Sequence, residues 1–165
     1  MGKNENLIRI FEYALSQEKT GKSFFEESLK RLGTGTARSA FRRLIEEEEK
    51  HIDMLNRILQ GLHRGPEFEA GALGRIKMEK TRFFDRKEKA GFLKECMRDS
   101  TLPDACIFNT AYLIEKDISE FYGAMAEKTT GDVKKAFLLL ARWEEEHARF
   151  FKEFKDKLSA VYLKL

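Results

Sequence analysis

Hydrophobic side chains recur every three or four residues along four long stretches of the chain, which is the spacing of one buried face of an α-helix. The pattern predicts helices at about 4–32, 36–62 and 103–129, and a fourth from the turn at 129–132 to about 158. The turns at 33–36 and 129–132 are short and contain Gly and Thr, so they should reverse the chain direction. We therefore expect an all-α fold, an antiparallel four-helix bundle made of two hairpins, 4–62 and 103–158.

The connection between the hairpins, 63–102, is much longer than the two turns. Pro66 and Pro103 bracket it and are the only prolines in the chain. A helix of about 28 residues is roughly 42 Å long, so a chain that returns to start the third helix in the direction of the second needs such a crossover. Within it, 86–99 shows weak helical spacing. At 165 residues, the whole chain suits one domain.

Acidic residues interrupt the apolar face of every predicted helix. Glu18 falls in the heptad row of Phe11 and Phe25. The second and fourth helices each carry Glu-x-x-His, whose two side chains lie one turn apart on the same face. The six residues at these buried positions are Glu18, Glu48, His51, Glu115, Glu144 and His147.

Burying these carboxylates requires positive partners. An ionised carboxylate in an apolar interior loses several kcal/mol of hydration, and an unpaired one takes up a proton instead. No Lys or Arg shares these rows. The first hairpin has 30 residues from Glu18 to the Glu of its Glu-x-x-His motif, and the second has 29 from Glu115 to the Glu of its own motif. This similar spacing indicates an internal duplication and a pseudo-twofold metal site.

Four Glu and two His match the ligand requirement of a two-metal carboxylate centre. We expect Glu48 and Glu144 to bridge the two ions, Glu18 and Glu115 to be terminal ligands, and His51 and His147 to bind one ion each. Two iron ions are the preferred cofactor and manganese is the second choice, because mixed imidazole and carboxylate ligation suits both.

Two hairpins, each with a Glu followed about 30 residues later by Glu-x-x-His, resemble the ferritin-like superfamily and most closely its rubrerythrin-like diiron-carboxylate proteins. The resemblance covers nearly the whole chain and implies an oxidoreductase that reduces peroxide or oxygen. Rubrerythrin itself has a further Glu where this chain has Ile118, and a rubredoxin domain with two Cys-x-x-Cys pairs that this sequence lacks. Electrons are therefore expected from a separate donor protein.

Charge and composition limit the classes of partner that the chain is expected to bind. The 31 basic and 28 acidic residues are mixed along the chain, and the net charge of +3 forms no basic stripe, so we expect no nucleic-acid partner. The sequence has no signal core and no span of about 20 apolar residues, so we expect a cytoplasmic protein away from membranes.

Cys96 and Cys106 lie ten apart, which excludes a Cys-x-x-Cys site and predicts buried or idle thiols. A homodimer is compatible with such a bundle, but no stripe indicates one.

For several residues near the motifs, a structural role is a simpler interpretation than a role at the metal site. Tyr122 could hydrogen-bond the site or relay an electron, but core packing explains it more simply. Gly21 suits either close helix packing or access to the site, with packing favoured, and His63 suits a helix C-terminus. Phe25, Phe151 and Phe154 should form dry walls around the centre, and we assign the neighbouring acids to a solvated face: Glu46, Glu47, Glu49, Glu145 and Glu146.

Two other functions fit the same pattern. The first is iron oxidation and storage, which a shell-forming assembly would favour. The second is a metal-free helical bundle that serves as an interaction module, which requires the six polar side chains to face water. Such a rotation would also expose Leu44 and Leu140, so the sequence favours the metal-binding interpretation.

Overall fold

Four α-helices make up almost all of the residues that the computed structural model describes, which are 3–32, 35–64 and 102–163. No strand occurs within these ranges, and the all-α four-helix bundle is confirmed. The crossover, including its weak helical segment at 86–99 and Cys96, lies outside the described residues. The helices are α1 (Lys3–Leu29), α2 (Gly35–His63), α3 (Leu102–Glu127) and α4 (Gly131–Leu163).

Two helix ends differ from the predicted ones by three residues or more, whereas the others agree within two residues. α1 ends at Leu29 rather than residue 32, because the chain tightens into a turn in which Lys30 N–H donates to Glu27 O and Arg31 N–H to Ser28 O. α4 continues to Leu163 rather than ending near 158, and residues 159–163 contain no Gly or Pro to stop it. Both differences lie at helix ends, away from the centre of the bundle.

The turn between α3 and α4 depends on a glycine. Gly131 has a φ of 63°, in the left-handed region that side chains with a Cβ rarely adopt. Just before it, the carbonyl oxygen of Met125 accepts hydrogen bonds from the Thr129 hydroxyl and from Lys128 N–H, which close the end of α3. This short turn makes α4 run antiparallel to α3.

The buried apolar residues form two separate clusters, one towards each end of the bundle. Cluster A contains Leu7, Phe11 and Ala14 of α1, and cluster B contains Phe25 of the same helix and Leu32 in the turn after it. Along all four helices, the members of the two clusters are separated by the predicted polar residues. Cluster A also contains Met54, Leu55, Ile58, Leu59, Leu62, Ile118, Tyr122, Ala126, Ala136, Phe137 and Leu140, and cluster B also contains Ala40, Phe41, Leu44, Phe108, Ala111, Phe150, Phe151 and Phe154.

The order of the clusters along each helix gives the direction of that helix. α1 and α4 run from cluster A to cluster B, whereas α2 and α3 run from B to A. The end of α2 and the start of α3 are therefore at opposite ends of the bundle. Among the described helices, none is long and apolar enough to cross a membrane.

Candidate metal centre

The six predicted polar residues occupy the layer between clusters A and B. Each is at most 1% exposed to solvent, so all four carboxylates and both imidazoles are buried. The heptad position of each residue explains this burial, because each follows an apolar core residue two turns earlier on its own helix. The structure therefore brings together all six side chains that the sequence singled out, from all four helices.

The donor atoms fall into two groups of four. In the first, ligand atoms of Glu18, Glu48, His51 and Glu144 all lie within 4.8 Å of one another. In the second, the same limit holds for Glu48, Glu115, Glu144 and His147. Glu48 and Glu144 belong to both groups, whereas each of the other four residues belongs to one. Two carboxylates shared between two sets of donors are the arrangement expected of bridging ligands.

The distances show that the two hairpins meet at these donors. Nδ1 of His51 on α2 lies 2.6 Å from Oε1 of Glu144 on α4, but the two groups are not aligned as an N–H···O hydrogen bond. Nδ1 of His147 lies 3.4 Å from both Glu48 Oε1 and Glu144 Oε2, and 3.5 Å from Glu115 Oε2. Each imidazole thus directs the same nitrogen at carboxylate oxygens.

The carboxylates need more positive charge than the described residues supply. Neither oxygen of Glu48 and neither oxygen of Glu144 has a hydrogen-bond partner in the described part of the chain. Leaving a buried polar atom unsatisfied costs about 1–3 kcal/mol, and more when it is charged. Four ionised carboxylates carry four negative charges, which two divalent cations would balance. The donor set therefore fits a dimetal site.

Without a cation, the cluster retains protons. Burial raises the pKa of Glu18 well above its ordinary value, and the charges of Glu144 and Glu48 raise it further. Burial and the same two charges raise the pKa of Glu115. Burial lowers the pKa of His51, but Glu144, Glu48 and Glu18 outweigh this effect, so the net shift is upwards.

Two further groups, His147 and Glu144, complete this pattern. Burial lowers the pKa of His147, but Glu115 and the other carboxylates outweigh it and raise the pKa above its ordinary value. Burial raises the pKa of Glu144, but His51 and the adjacent Glu115 and His147 side chains outweigh it and lower the pKa well below the ordinary range. The metal-free cluster thus combines ionised Glu144 with groups that hold protons, and those protons occupy the place of cations.

Tyr122 is part of the site as well as of the core. Its ring is fully buried and lies 6.2 Å from the ring of Phe137, between centroids. Its hydroxyl donates a 2.6 Å hydrogen bond to Oε1 of Glu18, across the bundle from α3 to α1. Burial raises the pKa of Tyr122, and so does the charge of Glu18, so the phenol keeps its proton. The preference for core packing alone was therefore wrong, since the side chain also contacts the site.

Trp143 was missed by the sequence analysis. Its indole stacks on the imidazole of His51, with centroids 5.4 Å apart and planes 22° apart. The rings of His51 and His147 also stack, at 5.7 Å and 13°. The only sign in the sequence that Trp143 lies near the site is its position one residue before Glu144, which faces the core. Helical spacing alone does not show which residue of α2 its side chain contacts.

Aromatic rings close one side of the layer, as expected. Phe25, Phe151 and Phe154 are fully buried. Phe25 stacks on Phe151 at 6.0 Å, and Phe108 joins them with its centroid 3.8 Å from that of Phe154. These contacts exclude water from the side of the centre that faces cluster B.

One expectation about the surface needs correction. Glu47 is only 8% exposed and does not belong to the solvated face, because it lies one helical turn before His51 and so on the edge of the buried face. Its neighbour Lys50 lies 4.0 Å away. Glu46, Glu49 and Glu145 are exposed as predicted, and Glu146 is partly exposed. Cys106 is a free, exposed thiol, so of the two predicted alternatives, buried or idle, it is not buried.

Gly21 and Ile118 form an apolar contact between α1 and α3. A Cβ at Gly21 would lie 3.6 Å from Ile114 Cγ2 and 3.8 Å from Ile118 Cδ1, which is ordinary van der Waals contact. Ile118 is 5% exposed and packs in cluster A. This arrangement supports the packing interpretation of Gly21. His63 is exposed in the last turn of α2, in agreement with its predicted place at a helix C-terminus.

The helical bundle and its central donor set define a class of protein, the four-helix bundles with a buried carboxylate and histidine cluster suited to two metal ions. A model of the rubrerythrin family matches residues 4–93 and 107–163, which is most of the chain. The chain therefore belongs to the rubrerythrin family. No curated protein and no solved structure gives a significant match.

Proposed function

We propose that the chain is a diiron-carboxylate oxidoreductase that reduces peroxide or oxygen with electrons from a separate donor. The observation that carries this proposal is the pair of four-residue donor groups that share Glu48 and Glu144. A buried cluster of this composition is unfavourable unless cations neutralise it. Membership of the rubrerythrin family supports the same chemistry.

Each ligand has a proposed role. Glu48 and Glu144 bridge the ions, since they alone belong to both groups. Glu18 and His51 complete one position, and Glu115 and His147 complete the other. Iron is proposed first and manganese second, because both accept imidazole together with carboxylates.

The protein supplies an enclosed, electrostatically organised setting. Two bound redox-active ions would supply the electrons that convert peroxide, with two protons, into two waters. The hydroxyl of Tyr122 holds Glu18 in one orientation through its 2.6 Å hydrogen bond. The phenylalanines of cluster B exclude water, which strengthens every electrostatic interaction at the donors.

Metal analysis and spectroscopy test the proposal together. Protein loaded anaerobically with ferrous iron should hold about two ions per chain, the number that this class of bundle binds. After oxidation it should show the near-ultraviolet absorption of an oxo-bridged ferric pair. Reduction should bleach this absorption, and peroxide should restore it with consumption of about one peroxide per ion pair, since two electrons are needed.

Contrary results have specific meanings. If ferrous addition leaves less than about half an ion per chain, the oxidoreductase proposal is wrong, because a preformed site of these donors should bind. The chain would then act as a metal-free helical module. If the protein takes up iron well beyond two ions per chain and elutes as a large shell, iron oxidation and storage is the better description.

A further inference from the structure

The two halves of the proposed site are not equivalent. The internal repeat matches Glu18 with Glu115, and Glu48 with Glu144. By the same alignment, Tyr122 of α3 matches Phe25 of α1, since each follows the single Glu by seven residues. One half of the site therefore has a phenol where the other half has a plain phenyl ring.

The surroundings of these two rings are alike, so the hydroxyl is the main difference. The ring of Tyr122 lies 5.5 Å from Phe121 and 6.2 Å from Phe137. The ring of Phe25 lies 5.8 Å from Phe24 and 5.7 Å from Phe41, which are the residues that match those two in the repeat. Only the Tyr122 ring can hold a terminal carboxylate, and it holds Glu18.

A second contact supports the same half of the site. Trp143 matches Glu47 in the repeat, and its indole stacks on His51. Within the described ranges, Nε2 of His51 has no hydrogen-bond partner, so the stacked indole is a contact that restricts the plane of this ring. The hydrogen bond from Tyr122 and the stacked indole of Trp143 thus both support the position formed by Glu18 and His51.

We infer that the position formed by Glu18 and His51 takes up a divalent metal first and binds it about 10–100-fold more tightly than the position formed by Glu115 and His147. This range is the usual effect of groups that orient metal ligands from outside the coordination sphere. The inference rests on the proposed dimetal site and adds an order of filling to it. Tyr122 and Trp143 act here as positioning residues, because they touch the ligands rather than the metal.

Matched single-position variants test the order directly. Glu115→Ala leaves the position of Glu18 intact, and Glu18→Ala leaves the other, while each variant removes one carboxylate from the same buried layer. Cobalt(II) is the probe, with bound metal measured by equilibrium dialysis. We expect a dissociation constant at least about 10-fold lower for Glu115→Ala than for Glu18→Ala. Equal constants, or the reverse order, would overturn the inference.

Tyr122→Phe distinguishes positioning from a general structural effect. Introduced into Glu115→Ala, it should weaken cobalt binding by about 10–100-fold, whereas in Glu18→Ala it should change binding by less than about 3-fold. Equal weakening in both backgrounds would show that Tyr122 only supports the fold. Phe25→Tyr is the reciprocal variant and should tighten binding in Glu18→Ala by giving Glu115 a hydroxyl.

Fluorescence of the wild-type protein tests the order of filling independently, because Trp143 is the only tryptophan in the chain. Its fluorescence should change mainly with the first equivalent of cobalt, while the visible absorption of bound cobalt rises up to about two equivalents. Fluorescence and absorption that rise in parallel would refute the order of filling but leave the dimetal proposal intact. Failure to bind cobalt at all would refute both.

Discussion

The metal-free protein should lose stability as the pH rises through the neutral range. Glu18, Glu115, His51 and His147 all have pKa values above their ordinary ones in the folded chain. The folded state therefore binds more protons than the unfolded state, and the free energy of unfolding falls as these groups titrate. Glu144 has a lowered pKa, but its contribution is already complete above its ordinary value near 4.5 and stays constant in this range.

The expected magnitude follows from proton linkage. Each proton held only by the folded chain changes the free energy of unfolding by about 1.4 kcal/mol per pH unit. Between pH 6.5 and 8.5, the unfolded chain has ionised carboxyls and histidines that are half neutral or more, so a proton that the folded chain keeps across this range removes up to about 3 kcal/mol. For a chain of this size, 1 kcal/mol shifts the melting temperature by about 2–4 °C, so we expect a fall of up to about 12 °C per retained proton.

Thermal unfolding of chelator-treated protein, followed by circular dichroism across this pH range, measures the effect. Glu115→Gln should give a shallower slope because it removes one proton-binding carboxyl. The control is Glu120→Gln on the same helix, where the side chain is exposed and pairs with Lys116 at 3.9 Å, and it should leave the slope unchanged. Metal-loaded protein should not lose stability, since bound metal requires deprotonated ligands. A melting temperature of the metal-free protein that is constant or rises with pH would refute this reasoning.

Three substitutions test other parts of the structure. Elemental analysis should show that Glu144→Ala loses most of the bound metal, whereas Glu145→Ala, on the exposed face of the same helix, loses none. Equal losses would show that the assignment of buried and exposed faces on this helix is wrong. Gly21→Ala should be neutral or should raise the free energy of unfolding in urea by up to about 1 kcal/mol, because the added Cβ meets only ordinary van der Waals contacts. The matched control is Gly123→Ala, whose added Cβ has nothing within 4 Å. Phe151→Ala should destabilise the fold by about 3–5 kcal/mol, and a loss below about 1 kcal/mol would contradict its place in cluster B.

The fold and the burial of the six polar residues could be predicted because both follow from one periodicity. Glu18 and Glu115 stand in heptad rows of apolar residues, so a helix that buries Phe11 and Phe25 also buries Glu18. The helix ends do not follow from this periodicity, since α1 stops in a tight turn and α4 continues where nothing interrupts it. Local spacing determines which face of a helix is buried better than it determines where the helix ends.

Contacts between side chains on different helices could not be obtained from spacing. Trp143 stacks on His51 because α4 and α2 lie side by side at that level, which depends on how the helices rotate and shift against each other. The hydrogen bond from Tyr122 to Glu18 joins residues 104 positions apart. Glu47 was assigned to the surface because it adjoins a run of acids, although its position one turn before His51 favours burial.

The position of the polar layer links stability to function. Clusters A and B would together form one continuous apolar core if the layer between them were apolar, and buried ion clusters of this kind are often no more stabilising than well-packed hydrophobic residues of similar volume. The oxygens of Glu48 that have no hydrogen-bond partner in the described ranges make the layer unfavourable in the metal-free protein. Binding of the proposed cations would remove this unfavourable term and displace the retained protons, so the affinity for metal and the increase in stability would share one source. This coupling would account for the four carboxylates at the centre of the bundle.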